Sequence, residues 1–297
     1  MIRFAEKRDM EEIEEIWQES FQDSKEEIED FFSHCKESVR VCVYEEDHRV
    51  GGFLCLISAT LNLMEASPGK EEGMKNQMLY YPSEYIYAVA TQKKLRNHGI
   101  CTRLLEYVRT VLATESKCGV LVPADEKLEE FYRKRGFFTC FEKVSLNVNI
   151  KDSIKEKGKE NTKGSMDMVI PEIRSITTSD YLILREKALQ RISHLELTKE
   201  VLQYAILSCL LEGACLRSVL VNGKEYGFIY HQKTDDLETI FIQEITAVTR
   251  EEIHLASLAL LGALGKNRAK VCVSYSAYGL LLPKGYPYDG YMNLVLD

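Results

Sequence analysis

The stretch Tyr85 to Leu105 reads YIYAVATQKKLRNHGICTRLL and puts a strand, a basic glycine-containing loop and an amphipathic helix in direct succession. Ile86, Ala88 and Ala90 alternate with Tyr85, Tyr87 and Val89 as a buried strand requires, while Ile100, Leu104, Leu105, Val108, Val111 and Leu112 recur at helical spacing. Between them lies Gln92 to Gly99. A helix N-terminus presents unpaired backbone N–H groups and the positive end of its dipole, and Gly99 has no Cβ to hold off an approaching anion. Lys93, Lys94 and Arg96 add positive charge, so the segment is an expected anion cradle. Taken alone, R-x-x-G equally describes a surface turn whose basic residues are solvated.

The pattern is longer than that. Val89-Ala90-Thr91, then Arg96-Asn97-His98-Gly99-Ile100-Cys101, then an apolar helix stand in register, and together they resemble the acetyl-CoA-binding motif R-x-x-G-x-G/A of GNAT N-acetyltransferases. Cys101 departs from it, placing a thiol side chain where glycine or alanine stands and crowding the pyrophosphate. The resemblance implies that Val89, Ala90 and Thr91 align the pantetheine arm, and that Arg96, Asn97, His98, Gly99, Ile100, Cys101 and Thr102 take the pyrophosphate.

A second fragment follows the apolar run Gly119 to Ala124: Asp125-Glu-Lys-Leu-Glu-Glu-Phe-Tyr132-Arg-Lys-Arg-Gly136-Phe137. Asp125 suits a helix N-cap, Leu128, Phe131 and Tyr132 suit its inner face, and Gly136 suits the left-handed position that ends it. The fragment is similar to the F-Y-x-x-x-G-F signature of the same family. That similarity implies Tyr132 as proton donor to the departing CoA thiolate and Asp125 as a contact to the pantetheine arm. The reaction needs such groups: an amine attacks a thioester directly, so the site must hold both reactants, stabilise an oxyanion, remove a proton and protonate a thiolate. Without the signature, Tyr132 reads as a half-buried aromatic with a satisfied hydroxyl. Two candidates for general base come from the resemblance: Glu84, near where some members carry a glutamate though one residue out of register, and the carboxylate of Asp297, because some two-domain relatives use their chain end. A strand-edge charge is the alternative role for Glu84.

The 297 residues suffice for two domains, and an apolar content of 45% is ordinary for a packed protein. A net charge of −8 argues against a general nucleic-acid binder and suits a cationic amine, although acidity also serves solubility. No apolar run reaches the length of a membrane span, and the N-terminus lacks a signal-peptide core, so the expected location is cytoplasmic, without a membrane partner. Nine cysteines form no C-x-x-C pair and read as reduced small hydrophobes. Six histidines show no metal-ligand spacing, and no metal is expected. Neither G-x-x-x-x-G-K-[ST] nor G-x-G-x-x-G occurs, which removes P-loop and dinucleotide-binding readings.

The chain then repeats its order of elements. Met1 to Phe4, a helix capped near Asp9 with the stripe Ile13, Ile16, Trp17 and Phe21, a short helix around Ile28, Phe31, Phe32 and Cys35, and a hairpin turning at Glu46-Asp47-His48 lead to a polar segment, Ala59 to Ser83. That segment is expected as a lid, with Met78, Tyr80 and Tyr81 walling the acceptor pocket, or as a surface insertion. Lys151 to Gly164 is rich in charge and reads as a linker. Beyond it, Met166 to Ile176 with Tyr181 to Leu189, Ser218 to Tyr230, Ile240 to Val248 with Ile253 to Leu264, and Lys270 to Tyr275 with Gly285 to Leu296 echo the first half, Gly227-Phe228 standing for Gly52-Phe53. The second cradle position, Ala247 to Ile253, lacks R-x-x-G and carries Glu251 and Glu252 instead, which oppose a phosphate. Ser276 to Pro283 lacks the charged F-Y helix.

The expectation is an α/β (α+β) chain of two tandem GNAT-like domains, each a mixed, mostly antiparallel sheet flanked by helices. Residues 1–150 hold the acetyl-CoA site, 151–164 the linker and 165–297 a degenerate copy that completes the substrate cleft or forms an oligomer interface such as a homodimer. The expected activity is transfer of an acetyl group from acetyl-CoA to a primary amine in a ternary complex. The rival expectation is a non-catalytic acyl-CoA-binding scaffold.

Overall fold

The computed structural model of the chain describes residues 1–64, 77–151, 171–232, 236–274 and 290–294. The first half runs β1 (Ile2–Phe4), α1 (Met10–Phe21), α2 (Lys25–Cys35), β2 (Val39–Glu46), β3 (Arg49–Met64), β4 (Met78–Thr91), α3 (Ile100–Glu115), β5 (Cys118–Leu121), α4 (Glu126–Arg133) and β6 (Phe138–Asn149). The second runs β7 (Glu172–Ser175), α5 (Thr178–Leu189), β8 (His194–Leu197), α6 (Lys199–Leu211), β9 (Cys215–Val221), β10 (Lys224–Gln232), β11 (Thr239–Ile245), α7 (Arg250–Leu264), β12 (Arg268–Ser274) and β13 (Gly290–Leu294). The strands order as β1-β2-β3-β4-β5-β13-β6-β12-β11-β10-β9-β7. Among these pairings β4–β5 and β11–β12 are parallel and the rest antiparallel. This is the expected mixed α/β class, two mostly antiparallel sheets flanked by helices and joined through β6.

Local chemistry places the elements. Asp47 and His48 both adopt left-handed φ, +50° and +60°, and so close the tight turn between β2 and β3. The stripe of α1 buries Ile13, Ile16 and Trp17 against Phe31 of α2 and Phe53 of β3. On the opposite face of the sheet, α3 buries Ile100, Leu104, Leu105, Val108 and Leu112, each large side chain contributing about 1.5–3 kcal/mol by leaving water. Asp9 does not cap α1 with its side chain. Its carboxylate accepts the Glu6 amide at 2.6 Å and a bidentate pair from Arg3 at 2.6 and 2.8 Å, fastening the first strand to the first helix.

The two halves are not separable along the chain. β13, from the far end of the sequence, inserts between β5 and β6, with Met292 opposite Leu121 and Thr139. In return β6 pairs β12 from Asn149↔Arg268 to Lys143↔Ser274 and completes the second sheet. β8 adds to β3 over Ala59 to Asn62, and Leu195, Leu197, Val201 and Leu202 join the core under α1 and α2. A linear cut at residue 165 therefore follows neither the strands nor α6, whose Val201 and Leu202 lie in the first core. The linker expected at 151–164 lies, after Lys151, outside the described residues, as does Ser276 to Pro283.

Two expectations change. Residues 59–64 and 78–83 are not a polar lid but the paired ends of β3 and β4, in register from Ala59↔Ser83 to Met64↔Met78; residues 65–76 lie outside the described residues. The alternation in β4 also changes phase. Ala88 takes φ +50° in a bulge opposite the Phe53–Cys55 step, so Tyr85, Tyr87, Ala88 and Ala90 face one core while Ile86 and Val89 face the other. Among the described residues, no helix is long and apolar enough to cross a membrane, and no group of three or more His, Cys, Asp or Glu side chains is placed to hold a metal.

Candidate active site

β4 and β5 pair only over Ser83–Tyr85 and Cys118–Val120. Beyond Tyr85 the bulge at Ala88 turns β4 away, and the two strands part. Into the split opens a cleft of about 290 Å³, walled by Tyr85 to Val89 on one side and Leu121, Val122 and Ala124 on the other. Splayed strands leave backbone N–H and C=O groups of the parting edges without ladder partners, which is what an extended, amide-bearing ligand arm pairs with.

The cradle sits at the end of that edge. Gly99 is the N-cap of α3 with φ +75°, and a Cβ built there would meet nothing within 4 Å, so the space in front of the helix is open. The first helical bond runs from the Arg103 amide to the Gly99 carbonyl at 3.0 Å, which leaves the amides of Ile100, Cys101 and Thr102 without an intrahelical acceptor. Asn97 is also left-handed, φ +68°, and aims the loop into the helix. Arg96 is exposed and folds back, its Nε donating to the Thr91 carbonyl at 3.1 Å and its Nη2 to Ser20 Oγ at 3.3 Å. The His98 carbonyl accepts from Arg103 at 3.4 Å. Thr102 Oγ1 accepts from Arg135 at 2.6 and 3.1 Å, and the same guanidinium lies over the Phe131 ring, tying α3 to α4. Burial pushes the Cys101 thiol up to about 11 against a smaller opposing effect of Arg135, so it stays neutral and adds no charge to the cradle.

α4 forms with the expected caps, while Leu128, expected on its inner face, is 37% exposed at the cleft. Asp125 accepts the Leu128 amide at 2.8 Å as N-cap, and Gly136 ends the turn at φ +89°. Tyr132 is buried between Phe131 and Phe137, at 5.3 and 5.6 Å between ring centroids, and lines the cleft. Burial raises its phenol well above the ordinary value, so the group keeps its proton at neutral pH.

Glu84 stands apart. It is fully buried, absent from the cleft wall, and its Oε1 accepts from Arg40 at 2.7 Å and Lys117 at 2.8 Å, while Glu115 joins the same two cations. A carboxylate held by two cations away from the cleft fastens β4 to β2 and to the end of α3; the geometry does not offer it as a base. Asp297 lies outside the described residues. Met78 and Tyr80, expected to wall the acceptor pocket, line a different cavity of about 500 Å³ with Asn62, Arg185 and His194, and Tyr81 is 40% exposed outside the cleft.

Sequence reasoning missed the outer wall. Asp23, Glu27, Asp30 and His34 come from the end of α1 and from α2, and Tyr204, Leu207, Ser208, Leu211 and Glu212 from α6 and its end. The α2 set flanks the apolar stripe Ile28, Phe31 and Cys35, each member standing one residue before a member of the stripe. The α6 set had no signal, because that helix is apolar nearly all round and its relation to α2 exists only in the fold.

The corresponding place in the second half is filled by the protein itself. Thr249 caps α7, and Glu252 closes a capping box: its Oε2 accepts the Val248 amide at 3.0 Å and the Thr249 amide at 3.3 Å, while Lys224 and Arg191 pair with Oε1 at 2.6 and 3.1 Å. Burial alone would raise this carboxyl, but those four donors hold it at about 2, so the helix end carries a permanent anion of its own.

Comparison with known proteins places the geometry. Residues 1–140 match the acetyltransferase (GNAT) domain. Among solved structures, a conserved protein from Enterococcus faecalis described as a probable N-acyltransferase superposes with TM-score 0.72 at 16% identity, over 99% of this chain and 72% of that one. A GCN5-related N-acetyltransferase from Anabaena variabilis gives 0.67 at 16% identity, over 100% and 73%. Eis1 from Mycobacterium abscessus gives 0.66 at 11% identity, over 99% and 73%. At such identities the likeness is one of fold, and it runs through both halves. No curated protein sequence matches the chain.

Proposed function

We propose, from the match of residues 1–140 to the acetyltransferase (GNAT) domain, that the chain is an acyltransferase that transfers an acetyl group from acetyl-CoA to a primary amine within a ternary complex. The observation that carries the reading is the open helix N-terminus at Gly99, continuous with the split edge of β4 that leads to Tyr132.

Acetyl-CoA fits this surface. The amides of Ile100, Cys101 and Thr102, with Gly99 leaving the approach clear and Arg96, Asn97 and His98 forming the rim, suit a diphosphate. Val89, Ala90 and Thr91 offer backbone groups to the pantetheine arm from one side, and Asp125 stands at the start of α4 on the other. When bound, the coenzyme supplies the activated acyl carbon.

Attack by the amine forms the C–N bond and breaks the C–S bond; nitrogen loses one proton and sulfur gains one. The Tyr132 phenol, kept protonated by burial, is the donor to sulfur. The proton that nitrogen sheds leaves through water at the acidic mouth of the cleft. Glu84 contributes by holding β4 in place. The second half serves the site by supplying the α6 wall and β13, and binds no coenzyme of its own.

Purified protein with acetyl-CoA and a panel of primary amines is expected to release thiol in proportion to acetylated amine. Coenzyme binding without turnover on any amine would favour the scaffold role. Titration calorimetry is expected to count one acetyl-CoA per chain, because the Glu252 carboxylate occupies the second helix end; a count of two would show that end to be open.

A further inference from the structure

The cleft carries a charge asymmetry that acetyl transfer does not itself demand. Among the described residues its lining includes four carboxylates, Asp23, Glu27, Asp30 and Glu212, and neither lysine nor arginine. Three polar side chains of α2, Glu27, Asp30 and His34, stand at i, i+3 and i+7 and so form one stripe, which spans roughly 10 Å at 1.5 Å per residue. Across from it α6 presents Tyr204, Ser208 and Leu211, again one stripe, ending at Glu212. The Tyr204 hydroxyl reaches the Glu27 carbonyl at 3.4 Å, so the two helices enclose the outer cleft. Burial raises the Tyr204 phenol, and the negative charges of Asp30 and Asp23 add to the rise.

Further in, the wall becomes aromatic. Tyr87 lies 5.8 Å from Tyr85, 5.7 Å from Phe31 and 5.9 Å from Trp17, ring centroid to centroid. Such faces favour a cation with a short hydrocarbon stem. One ammonium neutralises one carboxylate at a time, whereas this cleft distributes acidic groups over a length of several methylenes, with Asp30 on one side and Glu212 on the other.

Resting on the acetyl-transfer reading, we infer that the acceptor is a linear di- or polyamine, with its reacting nitrogen at the Tyr132 end and at least one further ammonium along the α2–α6 stripe. The reacting nitrogen sheds one proton to solvent to become a free amine and a second on acylation, while the distal nitrogens stay charged. Both halves thereby set specificity, since Asp30 and Glu212 come from opposite sides of the cleft.

The test compares kcat/KM for n-butylamine, 1,4-diaminobutane and N-(3-aminopropyl)-1,4-diaminobutane, read as thiol release from acetyl-CoA. At low salt the diamine is expected to exceed the monoamine by about 10-fold or more, with the triamine higher still, and the advantage should shrink severalfold near 0.5 M salt. The double variant Asp30→Asn, Glu212→Gln, checked for an unchanged melting temperature, is expected to bring the diamine-to-monoamine ratio to within about threefold. Turnover at equal kcat/KM for all three amines overturns this inference and leaves acetyl transfer standing. A lysine-bearing peptide preferred to the triamine by about 10-fold or more also overturns it. No thiol release with any amine overturns the acetyl-transfer reading as well.

Discussion

Gly99→Glu is expected to weaken acetyl-CoA binding by about 100-fold or more, measured by titration calorimetry, while the protein stays folded. The fold should survive because a Cβ at this position meets nothing within 4 Å; the cost is confined to the left-handed backbone, φ +75°, about 1 kcal/mol for an ordinary residue. The binding loss has two sources: bulk in the approach to the amides of residues 100–102, and a carboxylate where the coenzyme's charge must sit. Gly99→Asn separates them. Asparagine tolerates this backbone and is neutral, as Asn97 already shows two residues earlier, and its effect is expected to stay within about 10-fold. Unchanged affinity in the glutamate variant would remove the cradle from the coenzyme site.

Tyr132→Phe is expected to lower kcat by about 10²- to 10³-fold with acetyl-CoA affinity unchanged within about twofold. The ring keeps its place between Phe131 and Phe137, so only the hydroxyl is lost. Steady-state thiol release and calorimetry read the two quantities separately. The direction of the acidity shift matters: raised by burial, the phenol holds its proton throughout the neutral range, so no loss of rate from its ionisation is expected below its ordinary value near 10. A fall in kcat of less than about threefold would assign thiolate protonation to another donor.

The strand, the left-handed Gly99 and the amphipathic helix after it were legible because local chemistry makes them, and the caps at Asp125 and Gly136 are each set by residues within one turn of the cap. Features made by distance were not legible. The phase change at Ala88 has no signal, since alanine is neither glycine nor a turn former, and the bulge arises from pairing against Phe53 to Cys55. The ion pairs that remove Glu84 from the cleft depend on Arg40 and Lys117, each far away in sequence. The carboxylates of the second half were noticed as a repulsion, but Glu252 does more than repel: it caps the helix end it blocks. The acidic wall needed α2 and α6 together, and a helix that is apolar nearly all round hides its one functional stripe.

The strand exchange between the halves sets an order of events on the ribosome. β5 cannot gain its second neighbour until residues 290–294 have been translated, so the catalytic half of a nascent chain carries an open seam while the whole second half is being made. The seam beside the cleft thus closes only with strands from both halves, and not within the segment that carries the cradle alone.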